Sequence, residues 1–63
     1  MKANVIRYKE LYFEEFFQED FARERAEELK ERYSHVFVDS FVEKNGWFRK
    51  RTVYRVHVYV EDH

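Results

Sequence analysis

The sequence has no cysteine and no proline, and Gly46 is its single glycine. Without cysteine the chain can form neither a disulfide nor a thiolate metal site, two common supplements to a small core. With one glycine it has no glycine-rich phosphate loop. Ile6, Leu11 and Leu29 are the only isoleucine and leucines among 63 residues that include thirteen aromatics. We therefore expect a core of valine and aromatic side chains, supplemented by self-association.

Long apolar runs are missing as well. No stretch approaches the roughly 20 residues of a membrane-spanning helix, and residues 1–7 lack the hydrophobic region of a signal peptide, so we expect a cytoplasmic protein. No segment is rich in proline, glycine or serine, which predicts one domain over residues 1–63. Twelve Lys and Arg against thirteen Asp and Glu leave a net charge of -1. The richness in charged residues, Tyr and Val suits a thermophilic or viral origin.

Two valine-rich runs flank the clearest turn signal in the chain. His35 to Val42 and Phe48 to Val60 alternate apolar with polar residues, and the segment from Glu43 to Trp47 between them contains an Asn-Gly pair. Alternating runs on either side of such a pair predict a β-hairpin.

The loop length decides which residues of the hairpin face each other. A three-residue loop ending at Gly46, with this glycine in the left-handed conformation, pairs Glu43 with Trp47 and Asp39 with Arg51. We prefer it to a two-residue Asn-Gly turn, which would mix charges onto both faces. The preferred register collects one apolar face: Val36, Val38, Val42, Phe48, Tyr54, Val56, Val58 and Val60.

A helical period replaces the strand period between Gln18 and Tyr33. The apolar residues at this spacing share one arc of a helix: Phe17, Phe21, Ala22, Ala26, Leu29 and Tyr33. Acidic residues at the N-terminal end, with Lys30 and Arg32 near the other end, suit the helix dipole. The segment from Asn4 to Phe13 is rich in β-forming residues and predicts a first strand.

The predicted order of elements is therefore β-α-β-β. A right-handed crossover through the helix leaves the first two strands parallel, and the third strand fits between them. We expect an α+β domain with a three-stranded antiparallel sheet in spatial order 2-3-1 and one helix on one face. This order resembles that of the dodecins, small flavin-binding oligomers. Because no dodecin motif can be matched residue by residue, the resemblance implies topology alone, and we expect no cofactor.

A single helix can cover only one face of this sheet, so the other face predicts an interaction surface. Exposed aromatic residues and arginines are enriched where proteins bind one another. We expect a non-enzymatic interaction module, a homo-oligomer or the binder of a protein partner. The residues expected at its interface are Phe37, Phe41, Trp47, Arg49, Arg51, Arg55 and Tyr59. We further expect Trp47→Ala to weaken self-association.

Two alternatives stay open. The hairpin carries five Lys or Arg and no acid between residues 44 and 57, which could serve single-stranded nucleic acid together with the aromatic rings. The net charge and the acidic helix favour self-association over this alternative. The second alternative is an acidic helix that acts as a viral-type inhibitor or nucleic-acid mimic through Glu24, Glu27, Glu28 and Glu31.

Catalytic and metal-binding patterns are absent from the sequence. No serine or threonine lies in a recognisable nucleophile motif. His35 and His57 are expected on one sheet face, diagonally across the hairpin, but Asp39 is four strand residues from His35, about 13 Å away, too far for a third ligand. We expect no enzyme activity and no metal site.

Overall fold

The computed structural model describes residues 6–47 and 49–62, and it forms three strands and one helix. In chain order these are β1 (Tyr8–Phe16), α1 (Glu19–Lys30), β2 (His35–Asn45) and β3 (Arg49–Glu61). Strand β3 is central and pairs antiparallel with both neighbours, in the order β1-β3-β2. The α+β class, the element order and the predicted spatial order are confirmed.

The element boundaries differ from those predicted. Strand β1 continues to Phe16 rather than ending at Phe13, because Glu14 and Glu15 pair with β3 despite their weak β propensity. The predicted start at Asn4 lies outside the described residues. Helix α1 ends at Lys30 and is therefore shorter than predicted. In the turn that follows it, the carbonyl oxygen of Leu29 accepts hydrogen bonds from the backbone N–H groups of Arg32 and Tyr33.

The predicted register of the hairpin is wrong by four residues. Glu43 lies opposite Arg51 and Asp39 lies opposite Arg55, so acidic and basic side chains face each other, which stabilises the pairing. Trp47 is in the connection between the strands rather than opposite Glu43. Because the error is an even number of residues, every described residue of β2 and β3 keeps its predicted face.

The connection itself keeps one predicted feature. Gly46 has a φ of +78°, the left-handed conformation that glycine adopts without steric cost. The two strands remain paired as far as Asn45 and Arg49, two residues further along each strand than predicted. The hairpin is therefore longer than the sequence predicted.

Helix α1 packs on one face of the sheet through small side chains. The buried cluster contains Ala22, Ala26, Leu29, Val36, Val56 and Val58. Two alanines on the contacting side let the helix axis approach the sheet closely, and they leave little apolar volume in the core. The partly buried rings of Tyr12, Phe16, Tyr33 and Tyr54 close its margins.

The helix covers less of this face than predicted. Val38 and Val42 lie on the helix side of the sheet but are 40% and 58% exposed. A helix of 12 residues spans about 18 Å, whereas a strand of 11 residues spans about 36 Å. Phe21, predicted on the apolar arc of the helix, is also exposed.

The molecule is long and thin. Its principal extents are 55 × 26 × 15 Å and its radius of gyration is 15.2 Å, whereas a compact domain of this length has a radius of gyration near 11 Å by the usual scaling. Within the part of the chain that the structure describes, no helix is long and apolar enough to cross a membrane.

Candidate interaction surface

The sheet face opposite the helix, called the outer face below, has no helix or strand over it among residues 6–47 and 49–62. Strand pairing places side chains from all three strands on it. Its members are Tyr8, Glu10, Phe13, Glu15, His35, Phe37, Asp39, Phe41, Glu43, Arg49, Arg51, Val53, Arg55, His57, Tyr59 and Glu61. Aromatic rings and charged groups thus alternate over one continuous surface.

A chain of aromatic rings crosses the middle of the outer face. The ring centroids of Phe13 and His57 are 6.1 Å apart, those of His57 and Tyr59 are 6.0 Å apart and stacked, and those of Tyr59 and Phe37 are 5.8 Å apart. These separations lie in the favourable range for ring pairs. Phe13 and Phe37 nevertheless remain 46% and 57% exposed, so half of their apolar surface contacts solvent.

His57 lies between two carboxylates at the centre of the outer face. Its Nδ1 contacts Glu10 Oε1 at 2.5 Å and its Nε2 contacts Asp39 Oδ1 at 3.2 Å. Burial of the ring lowers the pKa of His57, but the hydrogen bonds and charges of Glu10 and Asp39 outweigh burial, so the pKa is raised above its ordinary value. The protonated ring can donate to both carboxylates at once, which links β1 to β2 across β3.

Arg55 occupies a second bridge on the same face. Its guanidinium lies over the rings of Phe13 and Phe41, with 4.6 and 4.8 Å to the centroids, and its Nη2 donates to Glu15 at 3.1 Å. The Nε of Arg55 is buried without a hydrogen-bond partner. Packing between two rings therefore positions this side chain at the cost of one unpaired donor.

Arg51 makes a similar bridge nearer the hairpin end. It donates to Glu43 at 2.7 Å, and its guanidinium lies 4.3 Å from the ring centroid of Phe17. Beside it, Val53 is only 2% exposed although it belongs to the outer face and not to the cluster under the helix. A small second packing centre therefore lies on this side of the sheet.

The structure divides the seven residues predicted at the interface into two groups. Arg51, Arg55, Phe37, Phe41 and Tyr59 lie together on the outer face. Arg49, the first residue of β3, also belongs to the outer face but lies at its end, beside the hairpin connection that contains Trp47. The structure therefore places six of the seven on one face of the sheet and Trp47 in the connection.

Strand β1 contributes residues that sequence reasoning missed, namely Glu10, Phe13 and Glu15. Their pairing with β3 contains a register shift between Glu10 and Tyr12, which leaves Leu11 unpaired. A β-bulge of this kind interrupts strict alternation. The spacing of Tyr8 and Glu10, followed by Phe13 and Glu15, is the signal that could have revealed both the bulge and the face.

The two histidines share the outer face, as predicted, but have different neighbours. The His35 ring packs edge-on against Tyr8 at 4.5 Å between centroids. Together with Phe37 and Tyr59 these rings line a shallow apolar hollow of about 240 Å³. Among the described residues, no group of three His, Cys, Asp or Glu could hold a metal ion.

The acidic helix is only partly free to bind a partner. Glu28 contacts Arg25 and Glu27 contacts Lys30. Arg25 also donates to Glu14 of β1 at 3.0 Å, which fastens the helix to the edge strand. Glu19 pairs with Arg23 at 3.1 Å.

Compared with known proteins, the chain matches no family model, no curated protein and no solved structure.

Proposed function

We propose that this protein is a small non-enzymatic interaction module whose copies associate through the outer face of the sheet. The observation that carries the proposal is the set of half-exposed rings on a face that no described element covers. Tyr8, Phe13 and Phe37 are each 46% exposed or more, and they come from two edge strands on either side of β3. Contiguous exposed apolar surface of this kind is typical of protein interfaces.

The charges of the outer face are compatible with its burial. Arg55 is paired with Glu15, Arg51 with Glu43, and His57 with Glu10 and Asp39. A charged group that enters an interface already paired avoids the heavy cost of an uncompensated buried charge. The same pairing weakens the case for nucleic acid on this face, because its central cations are engaged by carboxylates of the chain.

The small size of the core favours a second copy of this chain as the partner that covers the outer face. Of the described residues, seven apolar side chains are buried, and two of these are alanines. A chain of this length gains little stability beyond its loss of conformational entropy from so few side chains. Stacking two outer faces would give each copy the second apolar layer that its single helix does not supply.

Sedimentation over protein concentrations from about 1 to 500 µM, a range that covers interfaces of this modest kind, tests the proposal. We expect the wild type to change from monomer to dimer or a larger oligomer. Phe37→Ser should raise the dissociation constant at least about tenfold, the effect of removing one well-buried interface ring.

Phe21→Ser is the matched control, since Phe21 is 55% exposed and Phe37 is 57% exposed. Phe21 lies on the helix, away from the outer face, so its replacement should leave association unchanged. A wild type that is monomeric and folded at 500 µM, or equal weakening by both variants, would contradict the proposal.

A further inference from the structure

The far end of the hairpin forms a two-stranded arm. Strand β1 ends where Phe16 pairs with Tyr54, but β2 and β3 remain paired through residues 41–45 and 49–53. Five residues of strand extend about 16 Å. The arm therefore carries its last side chains well away from both the helix and the centre of the outer face.

Unpaired positive charge is concentrated at the end of this arm. Lys44 lies directly opposite Lys50, and like charges in that position destabilise strand pairing. Arg49 begins the returning strand next to them. Within residues 6–47 and 49–62, none of these three cations has a salt bridge, because the nearby acid Glu43 is engaged by Arg51.

Trp47 lies in the connection at the same end. It is 95% exposed, more than any other large apolar side chain among the described residues. A folded chain gains nothing from an indole ring in water, so the ring is free to contact another molecule. Lys44, Trp47, Arg49 and Lys50 are called the hairpin tip below.

We propose that the hairpin tip is a binding site for single-stranded nucleic acid. A strand that passes around the end of the arm contacts Lys44 and Lys50 on its helix side and Arg49 on its outer side, and an unstacked base lies on the Trp47 ring. This combination of backbone charge and base stacking is how proteins bind single strands without reading their sequence. An anionic backbone also relieves the repulsion between Lys44 and Lys50. The site shares only Arg49 with the outer face, lies at its far end, and does not require self-association.

A single strand fits the tip better than an anionic membrane does. Binding at a lipid surface needs a broad apolar face together with cations, whereas the arm ends in two paired strands on which Lys44 lies opposite Lys50. A strand of nucleic acid is also thin enough to contact the tip alone. Because the arm extends about 16 Å, the acidic outer side of the helix is about two Debye lengths from a strand bound at the tip at physiological salt.

The chain itself supplies a site-specific probe, because Trp47 is its only tryptophan. We propose titrating the full chain with the oligonucleotide dT12 at 20 to 200 mM NaCl. Stacking should quench the Trp47 fluorescence, and the anisotropy of labelled dT12 should rise in parallel. For three phosphate contacts, the logarithm of the binding constant should fall with the logarithm of salt concentration with a slope of about -2.

Two variants and one matched control separate the tip from general charge. The double variant Lys44→Gln/Lys50→Gln should reduce the size of the slope to about -0.7, the value for one phosphate contact. The same variant should weaken binding at 20 mM salt at least tenfold. Trp47→Ala should weaken binding about 5-fold to 100-fold through lost stacking. Lys9→Gln with Lys30→Gln removes the same charge from exposed positions elsewhere and should change affinity less than twofold.

Several results would overturn the proposal. These are no quenching by dT12 at 20 mM salt, equal losses in the Lys44/Lys50 and Lys9/Lys30 variants, or tighter binding to a duplex of the same length. Phosphatidylserine vesicles that shift the Trp47 emission to the blue, while dT12 has no effect, would assign the tip to membranes instead. Circular dichroism of each variant should match that of the wild type, which separates lost binding from lost folding.

Discussion

The two faces of the central strand are built from different chemistry. Val56 and Val58 point toward the helix and are completely buried, among alanine, leucine and valine. The intervening residues Arg55, His57 and Tyr59 point to the outer face, where rings and paired charges remain partly exposed. The helix side excludes water with small aliphatic groups, whereas the outer side is ordered by directional contacts that leave it accessible.

This difference indicates which face contributes most to stability and which face remains available for contacts. Buried aliphatic surface contributes stability in proportion to its area, so the helix side is expected to dominate folding. Exposed ion pairs and cation–π contacts contribute about 1 kcal/mol or less each. Their main effect on the outer face is to fix the positions of the Phe13 and Phe41 rings, which belong to the proposed interaction surface.

The largest effect on stability is expected from the buried leucine on the helix side, with the exposed leucine of the chain as its control. Leu29 is 3% exposed and Leu11 is 48% exposed. Leu29→Ala should lower the free energy of unfolding by about 2 to 4 kcal/mol, because it removes buried methyl groups and leaves a cavity. Leu11→Ala should lower it by less than about 1 kcal/mol. Urea unfolding followed by circular dichroism measures both, and equal losses would contradict the expectation that buried surface on the helix side dominates stability.

A smaller effect is expected from the bridging arginine of the outer face. Arg55→Ala removes two ring contacts and the ion pair with Glu15, and should lower the free energy of unfolding by about 1 to 2 kcal/mol. Arg49, at the hairpin tip, has none of these contacts among the described residues. Arg49→Ala should change stability by less than about 0.5 kcal/mol, and a loss equal to that of Arg55→Ala would show that the ring contacts contribute nothing.

The smallest expected effect is a pH dependence, because solvent screens the carboxylates that hold His57. The raised pKa of His57 means that the folded state binds a proton more tightly than the unfolded state. The resulting stability is fully present below the ordinary histidine pKa, about 6.5, and is lost as pH rises through the folded pKa. The free energy of unfolding should therefore decrease as pH rises above about 6.5.

Urea unfolding at fixed low protein concentration measures this dependence, so that association does not contribute. His57→Gln should remove the decrease, whereas His35→Gln should retain it. A decrease of the same size in His57→Gln and in the wild type would show that another group causes it.

Much of the architecture follows from local patterns. The Asn-Gly pair between alternating runs correctly predicted the hairpin. The helical spacing correctly predicted the burial of Ala22, Ala26 and Leu29, although Phe17 and Phe21 of the same predicted arc are exposed. The outer-face positions of Phe37, Arg55 and Tyr59 were correct even though the register was wrong, because an even shift preserves the side on which each residue lies.

Other features could not be read from neighbouring residues. The bulge at Leu11 sets which residues of β1 face outward, and it depends on pairing with a strand more than forty residues away. The bridges from Glu10 and Asp39 to His57 need that register as well. Trp47 was expected on the sheet because the loop was placed two residues too early.

The sequence by itself determined the class of fold, the order of its elements and the two faces of the hairpin, because all of these follow from the periods of local apolar patterns. Only the tertiary structure decided how far the hairpin extends past β1, which carboxylate meets which cation, and how much aromatic surface the short helix leaves exposed. These depend on relative lengths and on long-range register, which no local pattern contains.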